Sequence, residues 1–450
     1  MTDLFHSAYT RARAYQDSIL QRRAFPSQEA LDNLTHFDEP LPDTPQSAEE
    51  TLQLLDEFGS PATVASTGGR YYGFVTGGAL PVTVASNWLA TTWDQNGALS
   101  ATSPIVAKLE SVAVGWLCDV LGLPKTCGGA FVTGATMANF TGLAAARHTL
   151  LAKRGWDVNA QGLFGAPEIK VVVGDEVHIS LLKALMLLGL GHERVIRVPV
   201  DHQGRMIADE LPELDDMTIV CIQAGNVNSG AFDPAQAICD VAKSADAWVH
   251  VDGAFGIWAM GTPSLAHLSS GYERADSWAM DAHKWLNTPY DCGVALVRSA
   301  KHLSNAMSAT ASYLITGDDR EPAHFVPEFS RRARGIDVWA ALRTLGKKGI
   351  VDLIEQNCRQ AQMMAHLLTE AGFTIHNDVV LNQVVVSFGS SEETLAVIRA
   401  VQAEGTTWAG GTSWQGHTAM RISVSSWATT DADIQQSASA IIRIAHQVTA

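Results

Sequence analysis

Short apolar runs alternate with longer amphipathic stretches through the middle of the chain. The runs are residues 169–173, 195–200, 218–223, 248–252, 277–280 and 294–297. Most are rich in Val and Ile and are bounded by Gly, Asp, Asn or Ser, as buried strands are. Between them, residues 181–190 and 234–243 carry helical patterns, and residues 128–147 read as a strand, a tight turn and a helix. Strands separated by single helices imply right-handed crossovers and a mainly parallel sheet, so the expected fold class is α/β.

The two ends of the chain follow other patterns. Residues 3–23 place Leu4, Ala8, Ala12, Tyr15 and Ile19 on one helical stripe; residues 24–47, rich in Pro, Asp and Thr, predict an extended connection. A second helix over 49–59 stops at Gly59 and Pro61. Such an arm either clasps a neighbouring subunit or packs on its own domain. Residues 67–81 combine five glycines with Tyr71, Tyr72 and Phe74, either the wall of a small-molecule pocket or a loop over the core. Helices are expected over 82–92 and 104–121. Residues 310–335 have the composition of a mobile loop. Beyond it, helical periodicity over 336–370, strands at 384–388 and 420–424, and helices at 392–404 and 431–447 predict a smaller α+β domain. The expected organisation is an N-terminal helical arm (1–66), a large domain (67–310), then the loop and a small C-terminal domain (311–450).

At 450 residues, 46% hydrophobic and 17% charged, the chain has enough apolar material for two cores. A net charge of −16 argues against nucleic acid or an anionic membrane surface as partner. Six cysteines lie scattered, with no C-x-x-C pair and no His cluster at zinc spacing, which predicts reduced thiols, no metal and a cytoplasmic location. The first residues lack the basic and apolar regions of a signal peptide. The longest apolar run, 181–191, contains Lys183 and is too short to span a bilayer.

Candidate chemistry sits where the strands end. Asp252 closes the run 248–252, and Ala254, two residues on, points to the same side. Asp281, His283 and Lys284 follow the run 277–280. Open parallel sheets bind ligands at such strand ends. An acid that keeps a ring nitrogen protonated and a lysine that forms a Schiff base are what pyridoxal phosphate (PLP) chemistry requires. The turn Thr133-Gly134-Ala135-Thr136 opens a helix with small residues, so its N–H groups and the Thr136 hydroxyl can meet an anion. It is neither a P-loop nor G-x-G-x-x-G, which speaks against a nucleotide and against a Rossmann-type oxidoreductase. His178 opens the helix after the first of these strands. Each feature alone suits an ordinary capping or surface residue; together they supply a phosphate anchor, a flat partner, a small residue, an acid and a lysine.

The segments His250-Val251-Asp252-Gly253-Ala254 and Asp281-Ala282-His283-Lys284-Trp285 resemble the most specific motifs of the group II PLP-dependent amino-acid decarboxylases, the family of the glutamate, cysteine-sulfinate and aromatic L-amino-acid enzymes. The resemblance runs from about residue 67 to the C-terminus. It implies PLP fold type I, with a mainly parallel large-domain sheet and a smaller C-terminal α+β domain. It also implies PLP as cofactor, a homodimer with shared active sites, and conversion of an L-amino acid to an amine and CO2 through a Schiff base on Lys284. By the same resemblance Asp252 partners the ring nitrogen, His178 stacks on the ring and Ala254 lies beneath it. Ala135 and Thr136 hold the phosphate, and Asp281 and His283 are polar neighbours. Thr76 borders the substrate pocket and Arg421 meets a substrate carboxylate; Tyr72 joins that pocket on its place in the glycine-rich aromatic segment.

The chain departs from the family pattern twice. Gly225-Asn226-Val227 stands where the family often has Gly-Thr-Thr, so Asn226 or Asn228 must replace a hydroxyl contact. Residues 314–335 contain no Tyr to reprotonate the substrate carbon, leaving Tyr313 and His324 as candidates. In this family the loss of that tyrosine accompanies aldehyde-forming chemistry. Transamination, aldol cleavage and decarboxylation coupled to oxidative deamination therefore stand as alternatives, while the presence of Lys284 disfavours a non-catalytic scaffold. Tyr71, Tyr72 and Phe74 suit an aromatic substrate; Asn87-Trp88-Leu89 and Asp94-Gln95-Asn96 resemble glutamate-type relatives and suit a polar or acidic one.

Overall fold

Every residue of Trp248–Asp252, Ser277–Asp281 and Gly293–Val297 is buried. Continuous burial on both faces marks strands inside a sheet covered by helices. A computed structural model describes residues 3–309 and 320–449, which divide into two compact units. One comprises Ala79–Arg359 and Asn377–Gln383; the other comprises the remaining described residues.

The first unit is built on a seven-stranded sheet. Its strands are β1 (Gly128–Val132), β2 (Lys170–Gly174), β3 (Ile196–Val198), β4 (Thr218–Gln223), β5 (Trp248–Asp252), β6 (Ser277–Asp281) and β7 (Gly293–Val297), in the spatial order β1-β7-β6-β5-β4-β2-β3. Strands β3, β2, β4, β5 and β6 pair in parallel, as the alternating pattern predicts. Strand β7 runs antiparallel to both β6 and β1. The connection 282–292 is too short to hold the crossover that a parallel pair needs, so the chain turns straight back. Strand β1 therefore runs in the same sense as β6. Six strands end at one edge of the sheet, and β7 begins there.

The helix Ala135–Lys153 follows β1 and packs on this sheet, burying Ala138, Asn139, Gly142, Leu143 and the run Ala144–Ala146. Its small residues bring its axis close to β5, β6 and β7. The helical run expected over 336–370 forms as Gly335–Glu370, interrupted at Gly346, which takes a positive φ.

In the second unit the first helix, Leu4–Ser18, is shorter than its apolar stripe suggests. Residues 24–47, whose composition predicts an extended connection, contain a helix at Gln28–Asp32 and a 3-10 turn at Asn33–Phe37. The Ser27 hydroxyl accepts from the Ala30 N–H at 3.2 Å, and this local cap overrides the composition. A four-stranded sheet has the order β10-β11-β9-β8, with β8 at Thr374–Ile375, β9 at Gln383–Ser387, β10 at Gly410–Trp414 and β11 at His417–Ser423. Strand β10 is hidden in the sequence by Gly410 and Gly411. Its register with β11, from Gly410 opposite Arg421 to Trp414 opposite His417, supplies the order that its own composition lacks.

Candidate active site

The common strand edge of the large sheet gathers most of the candidate residues. Strand β5 ends in Asp252, β6 ends in Asp281, and the Asp281 N–H donates to the Ala254 carbonyl at 2.9 Å, stitching the two ends together. The turn after β4 carries Asn226, and the loop after β2 carries His178. Gly134 and Ala135 follow β1 to the same edge. Gly293, at the start of β7, lies so close to Gly134 that a side chain there would come within 2.5 Å of its backbone.

Asp281 is the hub. Its Oδ1 accepts from the Ala135 N–H at 2.5 Å, so it caps the first turn of the helix Ala135–Lys153. Its Oδ2 lies 3.2 Å from Lys284 Nζ, and Oδ1 lies 3.4 Å from His283 Nε2. His283 Nδ1 accepts from the Cys292 N–H at 3.1 Å, which leaves its proton on Nε2, facing Asp281. Burial holds the His283 pKa below the ordinary imidazole range, so the ring is a neutral donor, and it stacks on Tyr290 at 4.2 Å between centroids. Lys284 also stands 5.9 Å above the Phe255 ring. One buried carboxylate thus ties a helix N-terminus, a neutral imidazole and a lysine amine into one cluster.

Asp252 is 5% exposed and has two anchors. The Ala254 N–H donates to Oδ1 at 3.2 Å, and Asn139 Nδ2 donates to Oδ2 at 3.2 Å. Asn139 itself is held by His250 Nε2 at 2.9 Å. The motif around Asp252 contains His250 without indicating a task for it, and nothing in the sequence points to Asn139. The available signal was a polar residue inside a wholly buried strand, two positions from Asp252 and therefore on its face. Asn139 left no such signal, because its partners are remote in sequence.

His178 is half-buried and caps the helix Ile179–Leu187, accepting from the Ser180 N–H through Nδ1 at 3.2 Å, with the Ser180 hydroxyl 2.7 Å from the same nitrogen. The ring is therefore held in one plane. Thr136 is half-buried in the first turn of its helix, where helix geometry leaves N–H groups for an anion. Asn226 is buried in the turn after β4. Its Oδ1 accepts from the Asn228 and Ser229 N–H groups at 2.9 and 3.2 Å, while its Nδ2 finds no partner among the described residues. A buried donor left over in this way marks a place for a ligand acceptor. An amine, two carboxylates, a fixed imidazole, a helix N-terminus and a spare donor at one sheet edge fit PLP.

Tyr72, Thr76 and Arg421 belong to the other unit. Tyr72 is buried, with its hydroxyl 3.2 Å from Ser437 Oγ, and burial raises its pKa. Thr76 is buried and Arg421 lies on β11, where burial lowers its pKa. Tyr71 and Phe74 stack on Trp408 at 5.0 and 5.6 Å. His324 closes a 3-10 turn, Pro322–His324, of the first unit, and Tyr313 lies outside the described residues. Among the described residues no group of His, Cys, Asp and Glu is arranged to hold a metal, and no helix is long and apolar enough to cross a membrane.

Comparison with known proteins agrees with this geometry. The pyridoxal-dependent decarboxylase conserved domain matches residues 35–389. An aromatic-L-amino-acid decarboxylase of Bacillus atrophaeus is 27% identical over 346 residues, covering 74% of this chain and 70% of that protein. The solved structure of Oryza sativa TDC with PLP and tryptamine superposes with a TM-score of 0.90 at 22% identity, covering 98% of this chain and 97% of that one. Rhodiola rosea 4-hydroxyphenylacetaldehyde synthase superposes with a TM-score of 0.87 at 20% identity over 100% and 99% of the two chains. Those two likenesses establish the fold, and the domain match establishes descent. The chain belongs to the pyridoxal-dependent decarboxylase family, with PLP fold type I and PLP as its cofactor.

Proposed function

We propose that this enzyme removes the carboxylate of an L-amino acid as CO2 and returns a proton to Cα, releasing the amine. The observation that carries the reading is the Asp281 cluster, in which one carboxylate joins the helix N-terminus at Ala135 to the amine of Lys284, beside Asp252 on the next strand. When bound, PLP supplies a carbonyl that links to amines and a ring that accepts electrons from the substrate carbon. Lys284 provides the amine for that link, and Asp281 Oδ2 orients it and is a nearby acceptor for its proton. Asp252, fixed by Asn139 and the Ala254 N–H, offers a carboxylate to a protonated ring nitrogen. His178 presents a flat face, Ala254 takes little room beneath the ring, and Ala135 and Thr136 border the phosphate at the helix N-terminus, where Thr136 and the following first-turn N–H groups donate because the Ala135 N–H is taken by Asp281. His283, neutral in its buried site, donates to Asp281 without adding charge. Asn226 Nδ2 supplies the polar contact that a threonine makes in relatives.

The substrate class we assign is an aromatic L-amino acid, supported by the name of the Bacillus relative. We assign a carboxylate contact to Arg421 and part of the side-chain pocket to Thr76 on the family pattern alone, and the rest of that pocket to Tyr72 on its place in the glycine-rich aromatic segment. A cytoplasmic homodimer is supported by the free cysteines and by the helix Leu4–Ser18, which buries no residue fully and leaves Phe5 and Tyr9 exposed.

Replacing Lys284 by Ala is expected to abolish both the visible absorbance of the linked cofactor and CO2 release. A variant that keeps either overturns the reading. A screen of the amino acids for CO2, with products identified by mass, then names the substrate. A second reading is release of an aldehyde by oxidative deamination coupled to decarboxylation. It is favoured by the lack of Tyr in residues 314–335 and by the fold shared with the Rhodiola synthase. Amine formed in step with CO2, without ammonia, excludes it.

A further inference from the structure

Five buried side chains form a line of hydrogen bonds that ends on Asp252. Trp248, His250 and Asp252 alternate along β5 and so share one face. Ser277 stands opposite His250 in the register of β6, and Asn139 comes from the helix that covers this face. Trp248 Nε1 lies 2.9 Å from Ser277 Oγ; Ser277 Oγ lies 2.7 Å from His250 Nδ1; His250 Nε2 lies 2.9 Å from Asn139 Oδ1; and Asn139 Nδ2 lies 3.2 Å from Asp252 Oδ2. His250, Ser277 and Asn139 are wholly buried.

The chemistry of the groups allows the line only one direction. An ionised carboxylate only accepts, so Asn139 must turn its NH2 to Asp252 and its oxygen to His250. His250 must then carry its proton on Nε2, which leaves Nδ1 bare to accept from the Ser277 hydroxyl. The serine oxygen in turn accepts from the indole of Trp248, which can only donate. With a neutral imidazole, reversing any link leaves two donors or two acceptors face to face.

The backbone is built around this line as well. Gly142 lies within the covering helix, where glycine is unfavourable. A Cβ there would come within 2.9 Å of His250 Cε1 and 3.1 Å of its Nδ1. The helix passes over the imidazole only because that position has no side chain.

We propose that Asn139 and His250 are positioning residues that act through this one-way line to hold the Asp252 carboxylate aimed at the cofactor ring nitrogen. The proposal rests on the reading that Asp252 partners that nitrogen. It adds that the carboxylate is set by a relay fixed before the cofactor arrives, with Gly142 as the clearance the relay needs.

The test has one arm that needs no cofactor. In the cofactor-free protein labelled with 15N-histidine, the resonance missing from His250→Gln is expected to report a neutral ring protonated at Nε2 at pH 7. A ring protonated at Nδ1, or an imidazolium, overturns the relay whatever the enzyme's reaction proves to be. In the second arm, cofactor-free protein is titrated with PLP and its fluorescence quenching gives a dissociation constant. His250→Leu and Asn139→Leu are expected to weaken binding about 10–100-fold, the size that outer partners of a bound group commonly carry. His250→Gln, whose amide N–H stands in for Nε2–H, recovers most of the loss. Leucine variants that bind as the wild type does, or a glutamine variant no better than leucine, overturn the proposal. Gly142→Ala removes no polar group and favours the helix, so it guards against misfolding. It is expected to weaken binding about tenfold with its helical circular dichroism unchanged, and wild-type affinity in it counts against the relay. The absorbance of Lys284→Ala tests the PLP reading separately, so the two failures are told apart.

Discussion

Asn226 uses only half of its amide on the protein. Its oxygen closes the turn after β4 by accepting from Asn228 and Ser229, while its buried Nδ2 is left over. Leaving such a donor unmet costs roughly 1–3 kcal/mol, which a bound acceptor recovers. Asn226→Asp keeps both turn acceptors and replaces the donor by an acceptor, so PLP affinity is expected to fall about tenfold in a fluorescence titration. His250 allows a pH prediction. Burial lowers its pKa to about 3 from an ordinary 6.5. Between those values the unfolded chain binds a proton that the folded chain refuses, so this residue's contribution to stability falls as pH falls through that window. The slope is at most about 1.4 kcal/mol per pH unit. Urea unfolding at pH 7 and pH 5 is expected to show a smaller acid loss for His250→Gln than for the wild type. At this scale Lys284 and Asp252 are legible because they sit at the ends of apolar runs. Asn139 is not, because its tasks are set by His250 and Asp252, more than a hundred positions away along the chain.

At the scale of elements, the site depends on how closely β7 approaches the start of the helix Ala135–Lys153. Gly293 has no room for a side chain beside Gly134. Gly293→Ala is expected to push the 133–135 turn outward and weaken PLP binding about tenfold, of the order expected for a one- to two-kcal/mol displacement. A variant that binds PLP normally shows the turn to be tolerant. In the other unit, Ser390 and Glu393 form a capping box at the start of Ser391–Glu404. Ser390→Ala is expected to cost about 1 kcal/mol in denaturant unfolding of the full chain. Strands β4, β5 and β6 are readable because full burial writes a nearly continuous apolar run. The reversal at β7 follows only from the short connection before it. Strand β10 is unreadable by composition, since pairing with β11 rather than propensity orders it.

The molecule as a whole also carries a buried ion cluster beside β1. Arg331 makes two hydrogen bonds to Glu110, at 2.7 and 2.8 Å, with both side chains 1% exposed, and Arg320 lies 3.9 Å from the same carboxylate. Glu110→Gln leaves a buried guanidinium without its counter-charge. It is expected to cost about 3–5 kcal/mol, read by chemical denaturation. The assembly is tested by sedimentation of the full chain, expected at twice the chain mass; a species of single mass removes the proposed shared sites. The compact units are discontinuous in sequence, so no change of composition along the chain marks where one gives way to the other.

The sequence by itself determined the α/β class and the parallel core, carried the motifs whose resemblance names the cofactor, and placed the candidate lysine and acid at strand ends. Those properties are written in local pattern: apolar runs of strand length, and charged residues where such runs stop. Only the tertiary structure decided that Asp281 is the hub, that β7 runs backward, that Asn226 has a spare donor and that a one-way line of hydrogen bonds ends on Asp252. These depend on which remote segments meet at one edge of a sheet. A hydrogen bond is specified by two partners and a direction, and a linear pattern reveals one partner at a time.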